Sequence, residues 1–173
     1  MVLATRDSEH DTFAVSEMED SERSISIGTR PPRILAIDFG ARKIGLAITD
    51  ELGLTAQGLG TYYRSNKKTD FDHFRRVIKQ YGINEIVMGL PLRMSGAEGI
   101  QAEKVHAFAE ELRHRFKLPV QLFDERLTSV EANRVLRETE MSTRRRAEVV
   151  DQLAAVLILQ AFMQFRKATP QSE

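Results

Sequence analysis

The chain has 173 residues and a balanced formal charge, with 25 basic and 25 acidic side chains. This length fits one ordinary domain with a sizeable core. Disulfides and thiolate zinc sites are excluded because the chain has no cysteine. No segment approaches the roughly 20 apolar residues of a membrane span, and the first residues lack the pattern of a secretory signal. We therefore expect a cytoplasmic protein.

The first 32 residues differ in composition from the rest of the chain. They carry three basic and seven acidic side chains, a net charge of −4, so the remainder carries a net charge of +4. The segment is rich in Ser, Thr, Asp and Glu, lacks sustained periodicity and ends in two prolines. We expect a disordered acidic tail at 1–32, a folded domain at 33–168 and a flexible end at 169–173. A tail that covers a basic surface of the domain is the alternative to a passive one.

Apolar patterns along the domain predict alternating strands and helices. The strand patterns span 34–38, 44–49, about 55–63, 83–89 and 120–123. The helical patterns span 70–81, 99–116, 129–137 and about 147–166. Short turns between the first three strands favour antiparallel neighbours. The order predicts an α/β fold with a five-stranded mixed sheet, in which three antiparallel strands are followed by two parallel ones, flanked by helices.

The first strand pattern ends in Asp38, which is followed by Phe39-Gly40 and by a second apolar strand. An acid at the end of a buried strand is costly to desolvate unless a cation or hydrogen bonds compensate it. Asp38 is therefore a candidate metal ligand. The alternative is an Asp-Gly turn in which the carboxylate caps its own backbone, and this segment alone does not decide between the two.

Further acids stand at two later elements. Asp124 and Glu125 follow the last strand pattern directly, at the strand end where ligands of open α/β sheets bind. The alternative there is an acidic helix start capped by Thr128 or Ser129. Asp151 lies in a helix that is apolar nearly all round, which we expect to pack across the sheet. Its alternative is an interaction with the helix macrodipole, worth roughly 0.3–1 kcal/mol.

Acids brought by two strands and one helix toward a common sheet end would form a site with oxygen ligands only. Mg²⁺ and Mn²⁺ prefer such ligands. Two such ions about 3.5–4 Å apart activate a water and stabilise the leaving oxygen during in-line displacement at phosphorus. This chemistry needs no nucleophilic side chain.

Four blocks of sequence, in this order, carry a resemblance to a known family. They are Asp38-Phe39-Gly40 through Ala47, Gly89-Leu90-Pro91 with Gly96 and Gly99, Asp124-Glu125-Arg126-Leu127-Thr128, and Asp151-Gln152-Leu153-Ala154-Ala155 through Gln160. They resemble the YqgF/RuvX family of the RNase H-like superfamily, which includes the RuvC Holliday junction resolvases. The resemblance covers about residues 33–166. Ser95 stands where Asp or Asn is common in the family, a difference that concerns a contact of this loop and not the candidate acids.

The resemblance implies an RNase H-like fold and a nuclease that depends on Mg²⁺ or Mn²⁺. It implies trimming of the 5′ end of precursor 16S ribosomal RNA, with the assembling small ribosomal subunit as a possible partner. An older assignment, a Holliday junction resolvase acting on branched DNA, is the alternative. It also implies that Asp38, Glu125 and Asp151 are catalytic acids and metal ligands, with Asp124 as an additional candidate. Because strand alternation sends adjacent side chains to opposite faces, one of the adjacent acids is expected to face the metals, and Glu125 is preferred.

Basic residues stand near these acids in the sequence. Such clustering predicts phosphate contacts whose strength falls steeply with salt, and a solvated loop is the alternative for the triplet at 144–146. The loop that starts at Gly89 could cradle a phosphate with backbone amides, although it lacks the ending of a P-loop. The predicted nucleic-acid contacts are Arg42, Lys43, Arg93, Arg126, Arg144, Arg145 and Arg146.

Two other functions stay open at the level of sequence. A D-x-G turn between strands also occurs in the actin and sugar-kinase ATPases, but those proteins need two such domains around the nucleotide. A non-catalytic, ribosome-associated RNA-binding protein is the other class, and the three candidate acids argue against it. The sequence leaves monomer and homodimer equally open.

Overall fold

A computed structural model describes residues 31–128 and 143–169, with the side chains of 143–151 outside the description. The strands of this part are β1 (Ile34–Phe39), β2 (Lys43–Thr49), β3 (Ala56–Tyr63), β4 (Glu85–Leu90) and β5 (Val120–Asp124). Its helices are α1 (Lys67–Tyr81), α2 (Ile100–Phe116) and α3 (Thr143–Ala168), with a 3₁₀ turn at Glu125–Leu127. The helix predicted at 129–137 and the tail up to residue 30 lie outside the described residues.

The five strands form one sheet in the order β3-β2-β1-β4-β5. β2 is antiparallel to both β1 and β3, whereas β4 is parallel to β1 and β5 is parallel to β4. The predicted mixed sheet is therefore confirmed. Because β1, β4 and β5 run in the same direction, their carboxyl ends meet at one edge, together with the start of β2 and the end of β3. We call this edge the carboxyl edge.

The start of α1 differs from the sequence prediction by three residues. The Asn66 side chain accepts a hydrogen bond from Thr69 N at 3.0 Å and caps the helix. At the other end Gly82 adopts φ 62°, a left-handed conformation in which glycine is favoured. A local cap, which apolar spacing does not reveal, therefore sets where this helix begins.

The two faces of the sheet bury separate apolar clusters. Leu35 and Ile37 of β1 pack with α1 and α2, whereas Ile34 and Ala36 pack with α3. Because side chains alternate along a strand, Asp38 continues the row that faces α3. The last helix and the first candidate acid thus share one face of the sheet.

Helix α3 is held across this face of the sheet by side-chain contacts near both of its ends. Near its described start, Gln152 lies on Gly58 of β3, where the position of a Cβ would be only 2.6 Å from Gln152 Cγ. Near its end, Arg166 Nη1 donates to Glu85 Oε2 at 2.6 Å, and Glu85 is only 5% exposed. The predicted packing of this helix across the sheet is confirmed. Within the described ranges, no helix combines the length and apolarity needed to cross a membrane.

Candidate active site at the carboxyl edge

Asp38 lies near the carboxyl end of β1, in the middle of the sheet. Its partner in register on β2 is Gly45. On β4, Gly89 follows Met88, which is the partner of Ile37. Side chains of neighbouring residues on paired strands share a face, so two glycines flank Asp38 on the face that α3 covers. The sheet itself therefore places no side chain on either side of this carboxylate, which leaves space there for groups from other elements.

The Glu125 carboxyl group occupies part of that space. A Cβ built on Gly89 would lie 3.0 Å from Glu125 Cγ and closer still to Glu125 Oε1. The same position would be 2.7 Å from Ile158 Cδ1 of α3. Because the 3₁₀ turn begins directly after β5, it directs the Glu125 side chain back over β4. Glu125 is thereby enclosed between the sheet and the last helix.

The acids Asp38 and Glu125 lie close enough to affect each other electrostatically. Burial, followed by the negative charges of Asp38 and Asp124, raises the pKa of the Glu125 carboxyl to about 7. The site therefore concentrates negative charge where water is partly excluded. A divalent cation bound there would relieve both the repulsion and the cost of desolvation.

Asp124 has a different environment from its neighbour in sequence. Its carboxylate accepts hydrogen bonds from Arg126 Nε at 2.9 Å and Arg126 Nη2 at 2.6 Å. It also accepts from Arg126 N at 3.0 Å, which caps the 3₁₀ turn. These bonds hold the pKa of the Asp124 carboxyl below its ordinary value. Glu125, and not Asp124, is the acid that lies on Gly89.

The third predicted acid, Asp151, belongs to α3, one residue before Gln152. Its side chain lies outside the described residues, so its part in the site stays a prediction. Among the described side chains, no group of three or more His, Cys, Asp or Glu residues could hold a metal ion. The described part of the site is therefore the pair Asp38 and Glu125.

The basic residues predicted to contact nucleic acid differ in exposure and in ion pairing. Arg42 is exposed in the turn between β1 and β2, Lys43 begins β2, and Arg93 is exposed in the loop after β4. Arg126 forms an ion pair with Asp124, so its charge is already partly balanced. The side chains of 144–146 lie outside the described residues, and their contacts stay predictions.

The glycine-containing loop after β4 uses several of its amides internally. Arg93 N donates to Ala97 O at 3.0 Å, and Gly96 N donates to Arg93 O at 2.8 Å. Ala97 N donates to Ser95 Oγ at 3.4 Å, so the serine still supports the turn. Gly96 has φ 85°, which explains glycine at this position. Two amides of the predicted phosphate cradle at 89–96, those of Arg93 and Gly96, are thus occupied within the loop.

Arg64 supports the turn beside the site from the opposite face of the sheet, where it packs on Phe39, and the sequence analysis missed it. Its Nε donates to Asp70 Oδ2 at 3.1 Å, and its Nη1 donates to Gly40 O at 3.4 Å, in the turn that follows the first acid. Its guanidinium lies 4.7 Å from the ring centroid of Phe39. Asp70 is 2% exposed and also accepts from Tyr62 Oη at 2.9 Å. The sequence did offer a signal: Asp70 stands among the apolar positions of α1, and a buried acid there needs a basic partner such as Arg64.

Comparison with known proteins places this chain in a family. The family model described as RuvX, Holliday junction resolvase, matches residues 32–165. A protein of Koribacter versatilis, named a candidate pre-16S rRNA nuclease, is 61% identical over 134 residues, covering 78% of this chain and 88% of the relative. A protein of Moorella thermoacetica with the same name is 49% identical over 131 residues, covering 76% and 94%.

Solved structures share the fold at low sequence identity. The Thermus thermophilus RuvC in complex with Holliday junction substrate has a TM-score of 0.50 at 13% identity and covers 78% of this chain and 96% of that one. The yeast mitochondrial Holliday junction resolvase has a TM-score of 0.50 at 14% identity, with 79% of both chains covered. The resemblance expected from the four sequence blocks is thereby confirmed, and the chain belongs to the RuvX family.

Proposed function

We propose that this protein is a divalent-metal-dependent nuclease that processes the 5′ end of precursor 16S ribosomal RNA. The observation that carries the proposal is the partly buried carboxylate pair of Asp38 and Glu125 at the carboxyl edge, in a chain of the RuvX family. The relatives from K. versatilis and M. thermoacetica carry the corresponding nuclease name. A metal nuclease that acts on precursor ribosomal RNA fits these observations together.

The donor chemistry of the pair fits Mg²⁺ or Mn²⁺. Both ligands are carboxylates, and a cation would offset the burial and the electrostatic repulsion that together raise the pKa of Glu125. Asp38 and Glu125 would hold the metal, with Asp151 as the third proposed ligand. Bound metal of the two-ion type supplies an activated water and stabilises the leaving oxygen of the phosphodiester.

The protein contributes position, space and charge to this reaction. Gly45 and Gly89 place no side chain beside Asp38, while Arg64 holds the turn that follows it. Arg42 and Arg93, exposed near the carboxyl edge, would attract the phosphates of the substrate. These groups orient the substrate and themselves undergo no covalent change.

Resolution of Holliday junctions is the second candidate function. It is favoured by the family description and by the fold shared with a RuvC that was solved with its junction substrate. A resolvase is expected to act as a symmetric dimer, because two strands must be cut at related positions. A monomer in solution would therefore favour the RNA substrate.

Matched cleavage assays test this proposal. Wild-type protein is incubated with a precursor 16S RNA fragment and with a four-way DNA junction, in Mg²⁺ or Mn²⁺. We expect RNA cleavage that falls at least about 100-fold in Asp38→Asn, Glu125→Gln and Asp151→Asn, with RNA affinity nearly unchanged. Glu103→Gln, an exposed acid in the first turn of α2, is the matched control and keeps full activity.

The other outcomes separate the alternatives. Preferential cleavage of the junction, lost in the same variants, would establish the resolvase. RNA binding without metal-dependent cleavage of either substrate would favour the non-catalytic binding protein.

A further inference from the structure

Gly89 is a glycine that its backbone conformation does not require. The described glycines with positive φ are Gly53, Gly60, Gly82 and Gly96, and Gly89 is not among them. Glycine weakens a strand interior because it has no side chain to pack and is freer in the unfolded chain. A glycine inside a buried strand often marks a place where another group approaches closely. The reason for glycine at position 89 is therefore space.

Two side chains fill that space from different elements. A Cβ at position 89 would be 2.7 Å from Ile158 Cδ1, 3.0 Å from Glu125 Cγ and closer still to Glu125 Oε1. These three nearest atoms all belong to side chains, and two are the free ends of flexible ones. An alanine would therefore displace side chains while leaving the backbone of the sheet in place. Ordinary non-bonded contacts lie near 3.5 Å, so the Glu125 carboxyl would move by about 1 Å.

We propose that Gly89 is a positioning residue that seats the Glu125 carboxyl beside Asp38. The inference rests on the proposed function, in which these two acids hold the metal. A catalytic constellation must be held within about 0.5 Å of its productive geometry, and a misplacement of 1 Å can cost about 100-fold in rate. The absence of a side chain at position 89 of β4 thus controls the position of the Glu125 carboxyl, which comes from the turn after β5.

The proposal predicts weaker metal binding in Gly89→Ala. Mn²⁺ affinity of the full-length protein without RNA is measured by electron paramagnetic resonance, and thermal unfolding verifies the fold. We expect at least a tenfold loss of affinity in a folded variant. Gly99→Ala is the matched control, because its Cβ would meet Arg93 Nε at an ordinary 3.6 Å, and it keeps wild-type affinity within twofold. Wild-type affinity in Gly89→Ala would overturn the proposal.

Combining Gly89→Ala with a second substitution shows whether Glu125 mediates the loss of Mn²⁺ affinity. In Glu125→Gln, Gly89→Ala should lower Mn²⁺ affinity by less than twofold, because the displaced carboxylate is already gone. An equal loss in both backgrounds would overturn the proposal. Ile158→Val removes the Cδ1 atom, and the double variant with Gly89→Ala should keep the defect. Recovery of wild-type affinity in that double variant would assign the effect to α3 instead.

A crystal structure of Gly89→Ala separates this inference from the proposed function. Displacement of the Glu125 carboxyl by about 1 Å, with the backbones of β4 and α3 unchanged, is the expected result. An unmoved carboxyl would overturn the positioning role. Absence of Mn²⁺ binding in the wild-type protein would instead defeat the metal nuclease proposal, and the position of Glu125 would still decide the role of Gly89.

Discussion

At the scale of single residues, neighbouring acids at the end of β5 meet opposite environments. Asp124 is stabilised as an anion by Arg126, whereas Glu125 is pressed against Gly89 beside other acids. The reason is that Asp124 ends β5, whereas Glu125 begins the 3₁₀ turn, which directs its side chain back over β4. Glu125, which is partly buried and does not pair with Arg126, is the one suited to bind a cation.

The raised pKa of Glu125 predicts a dependence of stability on pH in metal-free protein. Because the folded-state pKa of about 7 exceeds the ordinary value of 4.5, the folded protein holds the proton more tightly than the unfolded chain. This contribution is fully present below pH 4.5 and is lost as pH rises through 7. After allowance for partial exposure, the loss is on the order of 2 kcal/mol.

Urea unfolding at pH 5 and pH 8 in EDTA measures this loss. Glu125→Gln should flatten the difference in unfolding free energy between the two pH values, and Glu103→Gln should leave it unchanged. If the unfolding free energy changed by the same amount between pH 5 and pH 8 in wild type and in Glu125→Gln, the predicted effect of the Glu125 pKa would be contradicted.

At the scale of elements, the attachment of α3 depends on a partly buried ion pair far from the carboxyl edge. Glu85 begins β4, accepts from Arg166 Nη1 at 2.6 Å and accepts from Gln121 Nε2 at 2.6 Å. Phe162 of the same helix meets the ring of Phe123 at 5.8 Å between centroids. The polar and aromatic contacts together align the helix along the sheet face that carries the acids.

Removal of Arg166 should leave the Glu85 carboxylate buried without its cation. We expect Arg166→Met to lower the free energy of unfolding by about 2–4 kcal/mol, measured with urea at pH 7. The double variant with Glu85→Gln should be more stable than Arg166→Met, because the buried charge is removed. Arg75→Gln, which breaks an exposed ion pair on α1, is the control and should cost less than about 0.5 kcal/mol. Equal losses in all three variants would contradict this account.

At the scale of the whole molecule, we expect metal binding to require the folded sheet, because its carboxyl edge brings the two acids together. Asp38 and Glu125 come from strand ends that only the folded sheet brings together. A cation that binds the folded state alone stabilises it, by about 2.7 kcal/mol at 100 times the dissociation constant. We therefore expect Mn²⁺ to raise the melting temperature of the wild-type protein in differential scanning calorimetry.

The same calorimetry identifies the residues that bind the metal. The rise should be absent in Asp38→Asn and retained in the control Asp72→Asn, whose half-exposed side chain lies on α1 and pairs with Arg75. An equal rise in Asp38→Asn would place the metal elsewhere.

The sequence by itself determined the α/β class, the order of the described elements and the mixed sheet, because apolar periodicity and turn residues act between neighbours in the chain. It also placed acids at strand ends that share the carboxyl edge. Element ends shifted by a few residues where local hydrogen bonds, such as the Asn66 cap, decide them. These properties needed no knowledge of contacts between distant segments.

The tertiary structure alone decided which side chains meet across the sheet. It placed Glu125 on Gly89 and set Arg64 behind the turn that follows the first acid. The physical reason is that desolvation, ion pairing and steric space depend on groups within a few ångströms in space, and folding brings these groups together from remote parts of the chain.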